Sequence, residues 1–192
     1  MTDVPIARFR RWFRKAGEAG EALPEAMALA TADARGRPAV RFVLLKGVDQ
    51  RGFVFFTNAG SRKGRELRDN PQASLAVYWD KLGKQVRIDG RIESVTAAEA
   101  DAYWATRPRE SQLAAVASRQ SSELVSRAQL LAAWRKLRHH YRGEAIPRPS
   151  GWTGYRIIAS EIEFWHRGDH RLHHRELFTR TRNSWSCKLL QP

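Results

Sequence analysis

The chain reads as an α+β protein dominated by β structure, an antiparallel barrel of short strands with helices at its flanks. Short apolar runs recur between tight polar turns such as "DARGRP", "GVDQRG" and "DKLGK", the spacing of a meander rather than of strands alternating with crossover helices. Segments of helical spacing open the chain and fill its middle, between two sheet-forming regions. No linker is long or polar enough to divide the 192 residues, which are read as one domain, 1–192, with 42% hydrophobic content to bury in a core.

In order, 5–19 places Ile6, Phe9, Phe13 and Ala16 at helical spacing with Trp12 beside them. A strand over 26–31, a turn and a second strand over 39–46 follow, then "GVDQRG" as a turn and 53–57 as a third strand. Alternation in the second strand sets Arg41, Val43 and Leu45 on one face and Phe42, Leu44 and Lys46 on the other, so it offers a cation to each face; two edge residues snorkelling to water are the plainer alternative. Segment 65–70 is polar and helix-compatible, and Pro71 closes it. Strands over 74–79 and 85–95 come next. Thr96 is the N-cap of a helix over 97–106, "RPRES" separates it from a helix over 112–118, and 126–141 forms another with Leu130, Ala133, Trp134 and Leu137 on one face. After the extended loop "GEAIPRPSGWTG", strands resume at 155–158, 162–166 and 172–179, and 184–190 finishes the chain.

A lone cysteine, Cys187, excludes an internal disulfide framework and fits a reducing compartment. No apolar run reaches the length of a membrane span, and "MTDVPIARFRRWF" lacks a signal peptide's hydrophobic core, so a soluble cytoplasmic protein with no membrane partner is expected. The formal net charge of +14 signals an affinity for anions. Its cations are spread along the whole chain without zinc-finger spacing, RNP-like aromatics or a heptad basic region, so nucleic acid is not the expected partner. A G-x-S-x-G elbow, a Walker loop and a Rossmann glycine fingerprint are all absent.

Three stretches carry chemistry. In "FVFFTNAGSRKGRELRDNP" an aromatic strand gives way to small residues, Ser61, and two cations where a helix begins. The macrodipole disfavours cations there, so Arg62 and Lys63 suit an anion held by orphan N–H groups; a basic solvated loop is the plainer alternative. In "RPRESQ", Arg107 follows Tyr103 by one helical turn, and Ser111 extends the row if the turn persists. Hydroxyl, guanidinium and hydroxyl suit a phosphate monoester, while an Arg at a helix C-terminus is the common alternative. In "GDHRLHHREL", His170, His173 and His174 lack an acidic or cysteine ligand at zinc-like spacing, and alternation turns His173 and His174 to opposite faces, so no metal is expected. An anionic substrate or cofactor fits that stretch better.

The segments "RFVLLKG", "FFTNAGSRKGREL", "KQVRIDG", "RPRESQ", "SRQSS", "IEFWHRGDHRLHHR" and "LLQP" follow one another in an order and spacing that resembles the pyridoxamine (pyridoxine) 5′-phosphate oxidases, FMN enzymes that make pyridoxal 5′-phosphate. The resemblance covers about 9–192. It implies an FMN-binding split β-barrel and a homodimer with FMN in clefts at the interface. It implies that Arg41, Arg62 and Lys63 hold the FMN phosphate, with Ser61 at the turn. Arg41, Phe42, Val43, Leu44, Leu45 and Lys46, with Phe56 and Thr57, would line the flavin. Gln85, Gln120, Ser121, Trp165 and Arg175 match the remaining cofactor positions, several reaching in from the partner subunit. Lys46, Tyr103, Arg107 and Ser111 would hold the substrate phosphate, and Arg171 and His173 would flank the pyridine ring as the catalytic pair.

The activity so implied is oxidation of pyridoxamine or pyridoxine 5′-phosphate by dioxygen, through hydride transfer to the flavin, releasing hydrogen peroxide and, from the amine, ammonia. Phe56 stands where Tyr is common in the family, Val116 where Trp is usual, and His174 where Asp is usual. Two other readings are a phenazine-pathway flavin oxidase of the same fold and a non-catalytic flavin- or pyridoxal-phosphate-binding protein.

Overall fold

The computed structural model describes residues 4–182 and 184–192. In chain order it forms α1 (Val4–Glu18), β1 (Ala26–Ala32), β2 (Pro38–Leu44), β3 (Gly47–Asp49), β4 (Gly52–Asn58), α2 (Arg62–Asp69), β5 (Gln72–Trp79), β6 (Lys84–Ser94), α3 (Ala97–Thr106), α4 (Arg109–Ala117), α5 (Arg127–His140), β7 (Trp152–His166), β8 (His174–Arg180) and β9 (Trp185–Leu190).

Every strand pairing is antiparallel, along the path β2-β1-β5-β6-β7-β4-β3, with β8 added to β7 and β9 to β8. The two ends of that path, β2 and β3, are consecutive in the chain and separated only by Leu45 and Lys46. The sheet must therefore curl until its edges approach. Lys46 N donates to Val54 O at 2.8 Å and Leu45 N to Glu25 O at 2.9 Å, stitching the closure. The result is the expected α+β class, a split barrel of antiparallel strands with flanking helices.

Alternation places Leu29, Leu75, Val86, Ile88, Ile157, Ile162 and Phe164 inside the curl, fully buried. Helix α1 plugs the barrel with its apolar face. Phe9 meets Phe53 edge-on at 4.9 Å, and Trp12 meets Phe164 at 5.1 Å. Each such side chain, fully buried, contributes about 1.5–3 kcal/mol. A smaller core of Trp104, Leu113, Ile146 and Trp152 packs α3 and α4 against the start of β7, with Trp104 Nε1 donating to Ile146 O at 2.7 Å. That second core fixes one wall of the cleft described below.

Several elements differ from the sequence reading. Strand β2 ends at Leu44, and "GVD" is a strand, β3, not part of a turn. Asp49 folds it back, its carboxylate accepting from Arg51 N at 2.8 Å and Gly52 N at 3.1 Å. Gly52 is required there, because it has φ +144° and a Cβ would lie 1.9 Å from Ile157 O. Helix α2 starts at Arg62, capped by Ser61, and α4 starts at Arg109, immediately after Pro108. The two strands expected at 155–158 and 162–166 are one 15-residue strand, β7. The register shifts opposite Asp89/Gly90, leaving Ser160 as a bulge. Strand β8 starts at His174, so Leu172 and His173 precede it. Nor is the barrel a simple meander, since β1 pairs with β5 and β4 with β7.

Candidate active site

A cleft of about 870 Å³ opens between the outer face of β2, the end of β4 and helices α3, α4 and α5. Leu44 and Lys46 reach it from the chain around β2, Phe56 and Thr57 from β4, and Tyr103, Arg107 and Ser111 from the α3–α4 junction. Gln120 enters from the following loop, Trp134 from α5 and Trp152 from β7. Among the described residues none of its lining is acidic. Its size is that of a cofactor or substrate pocket.

One wall is an aromatic stack. Phe56 lies 4.1 Å from Tyr103 at 18° and 5.2 Å from Trp152 at 8°. The Arg107 guanidinium sits 4.8 Å from the Trp152 ring centre and 5.3 Å from that of Trp104, and Nη2 donates to Ser111 O at 3.2 Å. The helix does not run on from Tyr103 to Ser111; Arg107 is the extended C-cap of α3 and Pro108 precedes α4. The break still leaves all three side chains on the cleft. Among the described residues Arg107 makes no ion pair, so its fork is held by rings and one carbonyl. Burial lowers the Arg107 pKa and raises that of the Tyr103 hydroxyl, which therefore stays a donor at neutral pH.

Two of the cleft's residues are bonded to Lys63, 7% exposed, whose Nζ donates to Thr57 Oγ1 and to Gln120 Oε1, both at 3.2 Å. Thr57 Oγ1 in turn donates to Gln120 Oε1 at 2.8 Å. Burial pushes the Lys63 pKa down, Arg41 adds to the push, and Glu66 opposes it. A buried ammonium whose bonded partners are a hydroxyl and an amide is a site that favours an anion. Arg41 and Arg62 are engaged by the buried Glu66 carboxylate, at 3.0 Å and 2.8 Å. Ser61 is fully buried and caps α2, its Oγ accepting from Gly64 N at 3.3 Å. In β2, Val43 faces the core, as does Leu45 just beyond it, while Phe42 is 77% exposed.

A second group lies elsewhere. Gln85 pairs with Trp165 across β6–β7, Trp165 with Arg175 across β7–β8, and the His173 ring lies 4.6 Å from that of Trp165. Arg175 is anchored by Glu163, Nε to Oε1 at 2.7 Å, and by Gln191 O at 2.9 Å. His173 Nδ1 accepts from Gly168 N at 3.3 Å, while His174 turns away to Glu176 at 3.0 Å. None of Gln85, Trp165, Arg171, His173 and Arg175 lines the cleft. Trp152 and Trp165 mark opposite ends of β7, roughly 40 Å apart along the strand at about 3.3 Å per residue. Gln120, by contrast, joins Thr57 and Lys63 of its own chain.

Backbone strain falls on or beside residues that the sequence reading assigned to the site. Among the described residues the non-glycine residues with positive φ are Ser121 (68°), His170 (52°) and Arg171 (65°). The sequence reading did not single out Glu66, Trp152 or Trp104. Glu66 carries a visible signal, lying three and four residues after the two cations on one helix. Trp152 has none, because "SGWTG" reads as loop.

A family model described as pyridoxamine 5′-phosphate oxidase matches residues 14–141, and one described as the pyridoxine 5′-phosphate oxidase C-terminal dimerisation region matches 152–192. The chain is 50% identical over 188 residues to a pyridoxine/pyridoxamine 5′-phosphate oxidase of Anaeromyxobacter dehalogenans, covering 98% of this chain and 95% of that one. It is 47% identical to the protein of that name from Gluconobacter oxydans, covering 100% of each. Among solved structures, PhzG from Burkholderia lata 383, in complex with tetrahydrophenazine-1-carboxylic acid, superposes with a TM-score of 0.94 at 39% identity over 98% of this chain and 92% of that one.

Proposed function

Because the chain belongs to the pyridoxamine 5′-phosphate oxidase family, we propose that it is an FMN-dependent oxidase converting pyridoxamine and pyridoxine 5′-phosphates to pyridoxal 5′-phosphate. The observation that carries this reading is the cleft itself, which has no acid in its described lining, an Arg107 on one wall that makes no ion pair among the described residues, and two lining residues, Thr57 and Gln120, bonded to the buried Lys63 ammonium. Cations on the cleft wall and a further, buried cation bonded to its lining residues are what a phosphorylated substrate and a phosphorylated cofactor require together.

The residues present fit FMN. Lys63, Arg41 and Arg62 would hold its phosphate, with Ser61 fixing the turn, and Leu44, Phe56, Thr57 and Gln120 would line the flavin. When bound, FMN would supply the two-electron acceptor, with dioxygen as the final oxidant. The protein contributes position and charge. Lys46, Tyr103, Arg107 and Ser111 grip the substrate phosphate, the guanidinium fork matching its oxygens. Arg171 and His173, with Gln85, Trp165 and Arg175, complete the site from the partner subunit of a homodimer. That arrangement is supported by the separation along β7 and by the dimerisation region matched at 152–192. His173 is placed to orient the ring or accept a proton. The cytoplasm is the proposed location.

The likeness to PhzG supports a second reading, oxidation of a reduced phenazine carboxylic acid. The two readings differ in the anion gripped at Arg107, phosphate or carboxylate. Anaerobic mixing of the yellow holoprotein with each substrate separates them. Pyridoxamine or pyridoxine 5′-phosphate should bleach the flavin. Bleaching only by a tetrahydrophenazine carboxylic acid would establish the second reading, and bleaching by none would leave a non-catalytic flavin carrier.

A further inference from the structure

Glu66 places a carboxylate inside a site built for an anion. It is 5% exposed on α2, one turn after Arg62. Its Oε1 accepts from Arg62 Nε at 2.8 Å, and its Oε2 accepts from Arg41 Nη2 at 3.0 Å and from the Thr31 hydroxyl. Thr31, equally buried, also accepts from Arg41 Nη1, which reaches Leu29 O at 3.3 Å as well. The network thus ties β1, β2 and α2 together through one acid. Burial pushes the Glu66 pKa up, but the hydrogen bonds from Thr31, Arg62 and Arg41 outweigh it, and the group stays ionised.

An acid here repels a phosphate, so its presence needs a compensating role. Two features supply one. Long arginine side chains lose considerable freedom on binding an anion, and forks already fixed by Glu66 lose less. Arg41, Arg62 and Lys63 with Glu66 also leave a net charge of +2, against about −1.5 to −2 on a phosphate monoester. We propose that Glu66 is a positioning residue of the phosphate cradle, holding Arg41 and Arg62 so that the site prefers a phosphorylated flavin to an unphosphorylated one. This rests on the FMN reading above. Glu66 acts through the arginines and does not touch the ligand.

The test uses the dimer stripped of flavin and measures affinity for FMN and for riboflavin by quenching of flavin fluorescence. Wild type should prefer FMN. Glu66→Ala should weaken FMN by about tenfold or more while leaving riboflavin within about twofold, since charge-assisted contacts alone are lost. Glu66→Gln, isosteric and the safer variant for folding, should fall between. Its amide oxygen still accepts from Arg41 and Thr31, but its NH₂ faces the Arg62 donor. Equal weakening of both flavins in Glu66→Gln would reduce Glu66 to a structural acid and overturn the proposal. So would a wild-type FMN-to-riboflavin ratio in both variants. A wild-type protein that binds both flavins alike would overturn the phosphate assignment itself, a result distinct from either.

Discussion

The Lys63 ammonium is buried with hydroxyl and amide oxygens for partners, and its pKa lies below the ordinary 10.5. In the window between that depressed value and 10.5 the unfolded chain binds more protons than the folded one, so this group makes stability rise with pH across it. Below the window the buried charge is a standing cost to the flavin-free protein. Lys63→Met keeps the stem and removes the charge. Its flavin-free form should melt higher at neutral pH, by about 2–4 °C for each kcal/mol recovered, and FMN should raise that melting temperature less than in wild type. Melting curves with and without FMN check both halves, and a destabilised flavin-free variant would contradict the reading. Arg107 and His173 separate in kinetics. If Arg107 grips the substrate phosphate and His173 flanks the reacting ring, as proposed, loss of Arg107 should chiefly raise KM, and loss of His173 should chiefly lower kcat while FMN stays bound. Steady-state and single-turnover rates read the difference. His174, turned toward Glu176, should tolerate Ala in the same assays.

Among the elements, α3 shows local sequence logic at its plainest. Thr96 and Glu99 form a reciprocal capping box, and Glu99 also receives Arg51 and Arg156, both at 2.7 Å. The backbone N–H of Thr96 chiefly, with Arg51 and Arg156, holds the Glu99 pKa down at about 2 against an ordinary 4.5. A depressed carboxylate contributes stability that is present above pH 4.5 and lost as pH falls through about 2. Glu99→Gln should therefore be less stable than wild type at neutral pH, by about 1 kcal/mol, with the gap closing toward pH 2. Urea titrations along that pH series measure it. Signals this local were legible, as were the hairpins β1–β2 and β5–β6, whose turns lie in the sequence. The continuity of β7 was not, because Ala159-Ser160-Glu161 breaks the apolar pattern at the bulge, where Ser160 Oγ instead donates to Asp89 O at 3.0 Å. The pairings β1–β5 and β4–β7 were equally hidden, since they depend on closing the barrel and on no adjacent turn. The cleft shows the same division. The types and order of Lys46, Tyr103, Arg107 and Ser111 singled out residues that come to line one cleft, whereas Trp152 and Glu66 acquire meaning only once β7 and α2 are placed.

For the whole molecule, the distance between the two groups on β7 sets a condition on assembly. Lys63 and Arg175 serve the same FMN only if they come from different subunits, because in one chain they sit on groups at opposite ends of the strand. A C2 dimer satisfies this twice, each subunit giving its cleft to one site and its β7–β8 face to the other. Lesions in the two groups should then complement. Lys63→Ala and Arg175→Ala homodimers each carry two damaged sites. A heterodimer of the two variants carries one site with both lesions and one with neither. Denatured together in equal amounts and refolded, half the dimers are mixed, so about a quarter of the sites regain wild-type composition. Both FMN binding and turnover should recover toward that fraction, while each variant refolded alone stays impaired. If each site were built from a single subunit, every site in the mixture would keep one lesion and nothing would recover. Recovery near a quarter distinguishes the shared site from a dimer that merely stabilises two independent ones.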